Sequence, residues 1–354
     1  MTLHGGNIYS ASDNTGIPLR RIMDFSASIN PLGVPKSVSA AIKRGMALLP
    51  HYPEPATESL SSFIAKHYSL PAGSVVCGNG STELIYLIPR VLKPKRVLIT
   101  APAFSEYEKA CRNSNGKLQV AGYRLRMEDN FDIDPDDYIG AMKGCDLAFL
   151  CNPNNPTGRL LKKRDVIRIA DAAAELKCCL VVDEAFIDFC PDESVIKHVR
   201  RNPYLIVLRS LTKFYALAGL RIGFGVFPID VAERLKAGKE PWTVNCLADA
   251  AARAALDDME YLERSLKTME HEKCFIEEGL TRLLLEFIPS AANYYLVRIK
   301  NARYVMDILS KKGILLRDCS NFEGLENGFV RIAVRSGREN RILLKELSEL
   351  CRAL

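Results

Sequence analysis

Short apolar runs alternate along the chain with longer stretches in which apolar residues recur every three or four positions. The runs predict buried strands, and the spaced stretches predict helices that turn one face to a core. Residues 75–77 (Val-Val-Cys) lead into a glycine turn and a helix reaching position 88. A strand is predicted over 96–100, a helix over 104–113 and a strand over 118–122. A strand over 146–151, a helix over 163–176 and strands over 179–183 and 205–208 continue the series. Strand and helix alternating through short connections predict crossover units, hence an α/β fold with a largely parallel sheet.

The two ends depart from this alternation. Residues 1–33 are rich in Gly, Asn, Ser and Pro and predict an irregular arm with one short strand at 22–25, followed by a helix over 34–45. Residues 51–55 (His-Tyr-Pro-Glu-Pro) predict an extended turn before a helix over 56–67. Beyond about Asp230 the period lengthens into helices over 248–256 and 259–287. Strands over 294–299, 314–317 and 329–334 follow, closed by a helix over 338–350. The expected division is an arm with part of a small domain over 1–45, a large domain over 46–240 and a smaller α+β domain over 241–354.

With 354 residues, 48% hydrophobic and 25% charged, the chain is long enough to bury a large core and a smaller one. Its 48 basic and 42 acidic residues leave a net charge of +6, spread without a dense basic run. Such a balance argues against a nucleic-acid surface and suits a small anionic substrate. No apolar run approaches the ~18 residues of a membrane span and the N-terminus carries no apolar leader, so a cytoplasmic protein without a membrane partner is expected. Eleven cysteines, scattered without C-x-x-C spacing, are expected as reduced thiols rather than disulfides or zinc ligands. No metal is expected.

Candidate chemistry sits at the ends of strands. The run at 205–208 stops just before Ser210-Leu211-Thr212-Lys213, which sets Lys213 at the mouth of the sheet, where open α/β folds hold ligands. Ser210 before it and Arg221 after it are both able to meet a phosphate, and a lysine so placed suits a Schiff base with a carbonyl cofactor. Ser-x-x-Lys alone equally describes a surface loop. Asn152-Pro153-Asn154-Asn155-Pro156-Thr157-Gly158 follows the strand at 146–151, and its Asn-Pro pairs make a rigid loop that aims the Asn155 amide one way. Asp183 closes the strand at 179–183, able to face a cationic ring nitrogen or simply to cap a helix. Gly78-Asn79-Gly80-Ser81-Thr82-Glu83 opens a helix, so its backbone N–H groups, the positive helix end and two hydroxyls make an anion turn or a plain capped loop.

Asn155, Asp183 and Lys213, each at a predicted strand end and in this order, resemble the fold-type I pyridoxal-phosphate enzymes of the aspartate aminotransferase superfamily. The resemblance spans nearly the whole chain. It implies a seven-stranded-type sheet, pyridoxal 5′-phosphate as cofactor and a homodimer with active sites at the subunit interface. It further implies that Lys213 holds the cofactor as a Schiff base and later moves protons, and that Asp183 keeps the pyridinium nitrogen protonated. Phe104 would stack on the ring and Asn155 would bond its phenolic oxygen. Ser81, Thr82, Ser210 and Arg221 would form the phosphate cup, which Tyr52 would reach from the neighbouring subunit.

Further stretches narrow the resemblance, among them His4-Gly5-Gly6-Asn7, residues 24–33, Pro241-Trp242-Thr243-Val244-Asn245 and Arg331-Ile332-Ala333-Val334-Arg335-Ser336. They are similar to family members that decarboxylate L-threonine O-3-phosphate to (R)-1-amino-2-propanol O-2-phosphate for the cobalamin side chain. Relatives that transaminate histidinol phosphate are the alternative. A substrate bearing a carboxylate and a phosphate implies two anion sites. Arg317 and Arg331 are the guanidiniums implied for them, in an order left open. His4 and Gly5 would fold over the substrate, and Ser28 and Asn155 would touch it. Phe186 stands where superfamily transaminases commonly carry tyrosine, and Ser28 where relatives carry asparagine. A non-catalytic sensor of the same fold would carry a DNA-binding domain ahead of it, for which a chain that begins with the arm leaves no room.

Overall fold

In the computed structural model, which describes residues 5–114, 118–325 and 328–353, the strands in chain order are β1 (Met23–Asp24), β2 (Val75–Asn79), β3 (Arg96–Ala101), β4 (Gln119–Arg124), β5 (Leu147–Cys151), β6 (Cys179–Asp183), β7 (Leu205–Ser210), β8 (Ile222–Val226), β9 (Glu286–Ile288), β10 (Tyr294–Arg298), β11 (Ile314–Leu315), β12 (Arg317–Asp318) and β13 (Phe329–Ala333). The order β2-β8-β7-β6-β5-β3-β4 makes one seven-stranded sheet. Its neighbours run parallel except around β8, which is antiparallel to both β2 and β7. This is the mostly parallel α/β sheet that the alternation predicted.

Alternation inside each run decides which layer a side chain joins. Ala148, Leu150, Leu180, Val182, Leu205 and Val207 enter one buried cluster, which also takes Val244, Ala248, Ala251 and Ala252. Phe149, Val181, Ile206 and Leu208 enter the cluster on the opposite face, against Leu84, Ile88 and Leu235. The central strands are apolar at consecutive positions because both faces of the sheet are covered. A second sheet, β12-β13-β10-β9, is antiparallel. Its core of Val297 and Ile332 is closed by Ile276 and Leu280 of the helix Met259–Arg282 and by Leu343 and Leu347 of the helix Gly337–Ala353. β1 pairs in parallel with β11, Met23 opposite Ile314, so the N-terminal segment belongs structurally with the far end of the chain.

Four expectations need correction. The segment expected as an irregular arm contains the helix Ile8–Thr15, whose Asn7 cap accepts the Ser10 N–H. It buries no residue, so it carries no apolar period to detect. The helix Pro135–Met142 was not expected, although Asp134 caps it and proline opens it. The helix expected over 259–287 ends at Arg282. Leu284 turns at φ +54°, and Glu286–Ile288 becomes β9, its apolar residues being equally compatible with a strand. The single strand expected over 314–317 is divided at Leu316: β11 pairs with β1, whereas β12 pairs with β13. Among the described residues no helix is long and apolar enough to cross a membrane.

Beneath the Lys213 loop lies a buried ion cluster. The Arg209 guanidinium, with its side chain 4% exposed, pairs with Asp188 and stands 3.3 Å from Glu184 Oε2. Glu184 also accepts the Ser194 hydroxyl at 2.6 Å and the Val195 N–H at 2.7 Å. Arg209→Ala would leave both carboxylates inside without a counter-charge, and we expect a loss of about 3–5 kcal/mol. Denaturant unfolding should show it as a lower midpoint with an unchanged slope. A loss below about 1 kcal/mol would mean that the carboxylates are neutralised by other means.

Candidate active site

β5, β6 and β7 end at one edge, with Cys151 in register with Asp183 and Asp183 with Leu208. The loops that leave these ends, together with the turn after β2, enclose a cavity of about 470 Å³. Lys213, Asp183, Asn155, Phe104, Ser81, Thr82, Ser210 and Arg221 line it, as do Gly5, Ser28, Arg317 and Arg331. Tyr52 does not. It is 87% exposed, its ring 5.4 Å from that of Trp242. His4 lies outside the described residues.

The anion turn is built by close approach. Gly80 adopts φ +73°, and a Cβ there would stand 2.5 Å from Arg221 Nη2. Arg221 is itself left-handed at φ +59°, a conformation costing about 1–2 kcal/mol, and its carbonyl accepts the Gly80 N–H at 2.9 Å. The guanidinium is thereby pressed against the turn that presents Ser81 and Thr82 at the start of the helix Ser81–Leu92. Ser210 Oγ and Thr212 Oγ1 lie 2.7 Å apart on the adjoining wall.

Lys213 sits in a single helical turn, Leu211–Phe214, directly after β7. Burial lowers its pKa to about 8, helped by the charges of Arg331 and Arg221 and opposed by Asp183. Its loop is pinned from the N-terminal segment: the Asn30 N–H donates to Lys213 O at 3.0 Å, and Asn30 Nδ2 donates to Phe214 O and Ser265 Oγ, each at 2.8 Å. Asp183 is 3% exposed. Burial raises its pKa, while the Tyr107 hydroxyl on Oδ2 (2.7 Å), the Ala185 N–H on Oδ1 (3.0 Å) and the nearby Lys213 favour the carboxylate. Tyr107 stacks on Phe149 and meets Phe104 edge-on.

Arg331 Nη1 donates to Asn155 Oδ1 and Nη2 to Ser26 O at 3.1 Å, with the guanidinium 4.9 Å from the centre of the Tyr294 ring. Because Oδ1 is occupied, Asn155 Nδ2 is left as the amide's donor. Arg317 stands directly opposite Arg331 across β12 and β13, which explains why both reach one cavity. Burial lowers the Arg317 pKa, and Arg331 adds to that effect. Gly5 lies so close above that a Cβ would be 2.3 Å from Ser26 O.

Sequence reasoning missed Tyr107 and the clamp role of Asn30. Tyr107 has a weak signal, three residues after Phe104 and so on the same side of a helical turn. Asn30 has none short of the tertiary contact. Arg335, part of a narrowing motif, does not line the cavity: it is held by Glu339 at 2.7 Å and donates to Asp24 O at 3.0 Å.

These residues fit pyridoxal phosphate. An amine close to neutrality, a buried carboxylate and a hydroxyl-rich helix end face one space. Ser28 Oγ and Arg331 Nε are buried there without a protein partner. Lys213, Arg221, Arg317 and Arg331 outnumber Asp183 and Glu106 in the wall, which favours a ligand with several negative charges.

Residues 20–347 match the family model described as aminotransferase class I and II. The chain is 38% identical over 350 residues to threonine-phosphate decarboxylase of Salmonella typhimurium, covering 97% of this chain and 95% of that protein. Among solved structures, histidinol-phosphate aminotransferase from Clostridium acetobutylicum is similar with a TM-score of 0.87 and 33% identity, covering 93% of this chain and 99% of that one. L-threonine-O-3-phosphate decarboxylase from Porphyromonas gingivalis has a TM-score of 0.82 and 29% identity at the same coverages.

Proposed function

The chain belongs to the aminotransferase class I and II family, and from that premise we propose that it is a pyridoxal-phosphate-dependent decarboxylase of L-threonine O-3-phosphate. The products are carbon dioxide and (R)-1-amino-2-propanol O-2-phosphate, a building block of the cobalamin side chain. The observation that carries this choice is the buried cross-strand pair Arg317 and Arg331. Like charges directly opposite each other repel. A substrate with a carboxylate and a phosphate relieves that repulsion with both of its groups, whereas a transaminase would meet the pair with two anions only when glutamate is bound, histidinol phosphate bringing one. The likeness to the Salmonella decarboxylase supports the same choice.

Bound pyridoxal phosphate supplies the electron sink into which the bond to the departing carboxylate delivers its electron pair. Ser81, Thr82, Ser210 and Arg221 would hold its phosphate, Phe104 would cover its ring and Asn155 Nδ2 would donate to its phenolic oxygen. Asp183 keeps the ring nitrogen protonated. Lys213 would carry the cofactor, and its Nζ would be the group that returns a proton to the substrate's Cα. Arg317 and Arg331 fix both substrate anions, which limits rotation about the Cα bonds and selects the bond that breaks. Gly5 covers the substrate, and Ser28 meets it from the side.

The protein acts as a homodimer in this reading, with Tyr52 serving the phosphate cup of the second subunit. The exposure of Tyr52, Trp242, Met46, Leu48 and Leu49 supports such an interface. The ten cysteines from Cys77 to Cys319 are free thiols, which supports a reducing, cytoplasmic compartment. Transamination is the second reading, favoured by the backbone likeness to histidinol-phosphate aminotransferase. Incubation with threonine phosphate and cofactor decides between them. We expect one equivalent of carbon dioxide per amino-alcohol phosphate formed. Formation of one 2-oxoglutarate per bound cofactor from added glutamate, its amino group passing to the cofactor and no carbon dioxide being released, would establish the transferase instead.

A further inference from the structure

Resting on the cofactor reading above, we propose that Lys239 is a positioning residue for the cofactor phosphate: it neutralises Glu83 and so allows the turn at Gly80-Ser81-Thr82 to accept a doubly charged anion. Glu83 lies in the first turn of the helix Ser81–Leu92, immediately after the two hydroxyl residues that line the cavity. A carboxylate there competes with a bound anion for the same positive helix end. Its oxygen is nevertheless required. Glu83 Oε2 accepts the Asn79 N–H at 2.5 Å and so shapes the turn between β2 and the helix. The turn needs the acceptor but not its charge.

Lys239 removes the charge without removing the acceptor. Its Nζ stands 3.2 Å from Glu83 Oε1, and the two side chains are only 8% and 17% exposed. The ammonium also donates to Thr243 Oγ1, which fixes it in place. At this burial water and salt screen the pair much less than they would an exposed one. The neighbouring pair Arg90–Glu240, half exposed and at the far end of the helix, contributes little by comparison. Neither Lys239 nor Glu83 reaches the cavity, so they act on the ligand through the turn and through charge.

The test is a binding titration of apo-protein, followed by visible absorbance, with pyridoxal phosphate and with pyridoxal, which lacks the phosphate. Lys239→Met should weaken pyridoxal phosphate by about tenfold or more while leaving pyridoxal within about twofold, since only the phosphate meets the exposed charge. Lys239→Arg should bind as wild type does. Glu83→Gln keeps the acceptor and should bind the phosphate ligand at least as tightly as wild type. The double variant should recover to within about threefold of wild type. Equal weakening of both ligands, or a double variant as weak as Lys239→Met, overturns the proposal. If Lys239→Met does not fold, Glu83→Gln decides alone, and weaker phosphate-ligand binding by it overturns the proposal. A wild-type protein that binds neither ligand removes the cofactor reading itself and this inference with it.

Discussion

Lys213→Ala is expected to lower carbon dioxide release from threonine phosphate by at least about 10⁴-fold and to abolish the colour expected of wild-type protein with pyridoxal phosphate. Lys213 is the one amine among the described residues lining the cavity, so no neighbour can replace it as carrier or proton donor. Its burial, with Arg331 and Arg221 nearby, sets the amine at a pKa of about 8. Above that pH the amine is neutral and nucleophilic, and below it the proton blocks attack. In wild type the rate of colour development should therefore rise with pH through about 8, whereas the variant stays flat. A variant that keeps the colour, or more than about 1% of the rate, would mean that Lys213 is not the carrier.

The second large effect is expected at Asp183. Asp183→Asn should cut the rate by about 10²–10³-fold while leaving cofactor affinity nearly unchanged. Asparagine has the same shape: its oxygen still accepts the Ala185 N–H, and its NH2 can donate to the Tyr107 hydroxyl, which turns from donor to acceptor. What is lost is the negative charge opposite the ring nitrogen, and with it the protonated state that draws electrons from the substrate. The affinity survives because the phosphate cup and Lys213 are untouched. A rate loss below about tenfold, or a parallel loss of binding, would assign Asp183 to scaffolding alone. Kinetics beside a cofactor titration distinguishes the two.

Much of this was legible in the sequence for a physical reason. β5, β6 and β7 are buried on both faces, so they appear as continuous apolar runs, and a polar residue that ends such a run marks the open edge of the sheet. Asn155, Asp183, Ser210 and Lys213 were readable that way, and they do line one cavity. Arg317 and Arg331 reach it through an antiparallel register that spacing does not encode, and the expected strand over 314–317 concealed the change of sheet at Leu316. The helix Ile8–Thr15 was invisible because it buries nothing. Tyr107 left only the weak signal of its spacing from Phe104, and Asn30 became readable only when tertiary contacts showed it holding the Lys213 loop.

The pairing of β1 with β11 also has a bearing on biogenesis. During synthesis the first thirty residues leave the ribosome long before position 314 exists, so Met23 and Asp24 wait for almost the entire polypeptide before their partners emerge. The Asn30 clamp on the lysine loop depends likewise on Ser265, 235 positions later. Loop-closure entropy on that scale makes this one of the latest events in maturation. A nascent chain can therefore complete its main sheet early and still lack a finished catalytic pocket until its final quarter has been translated.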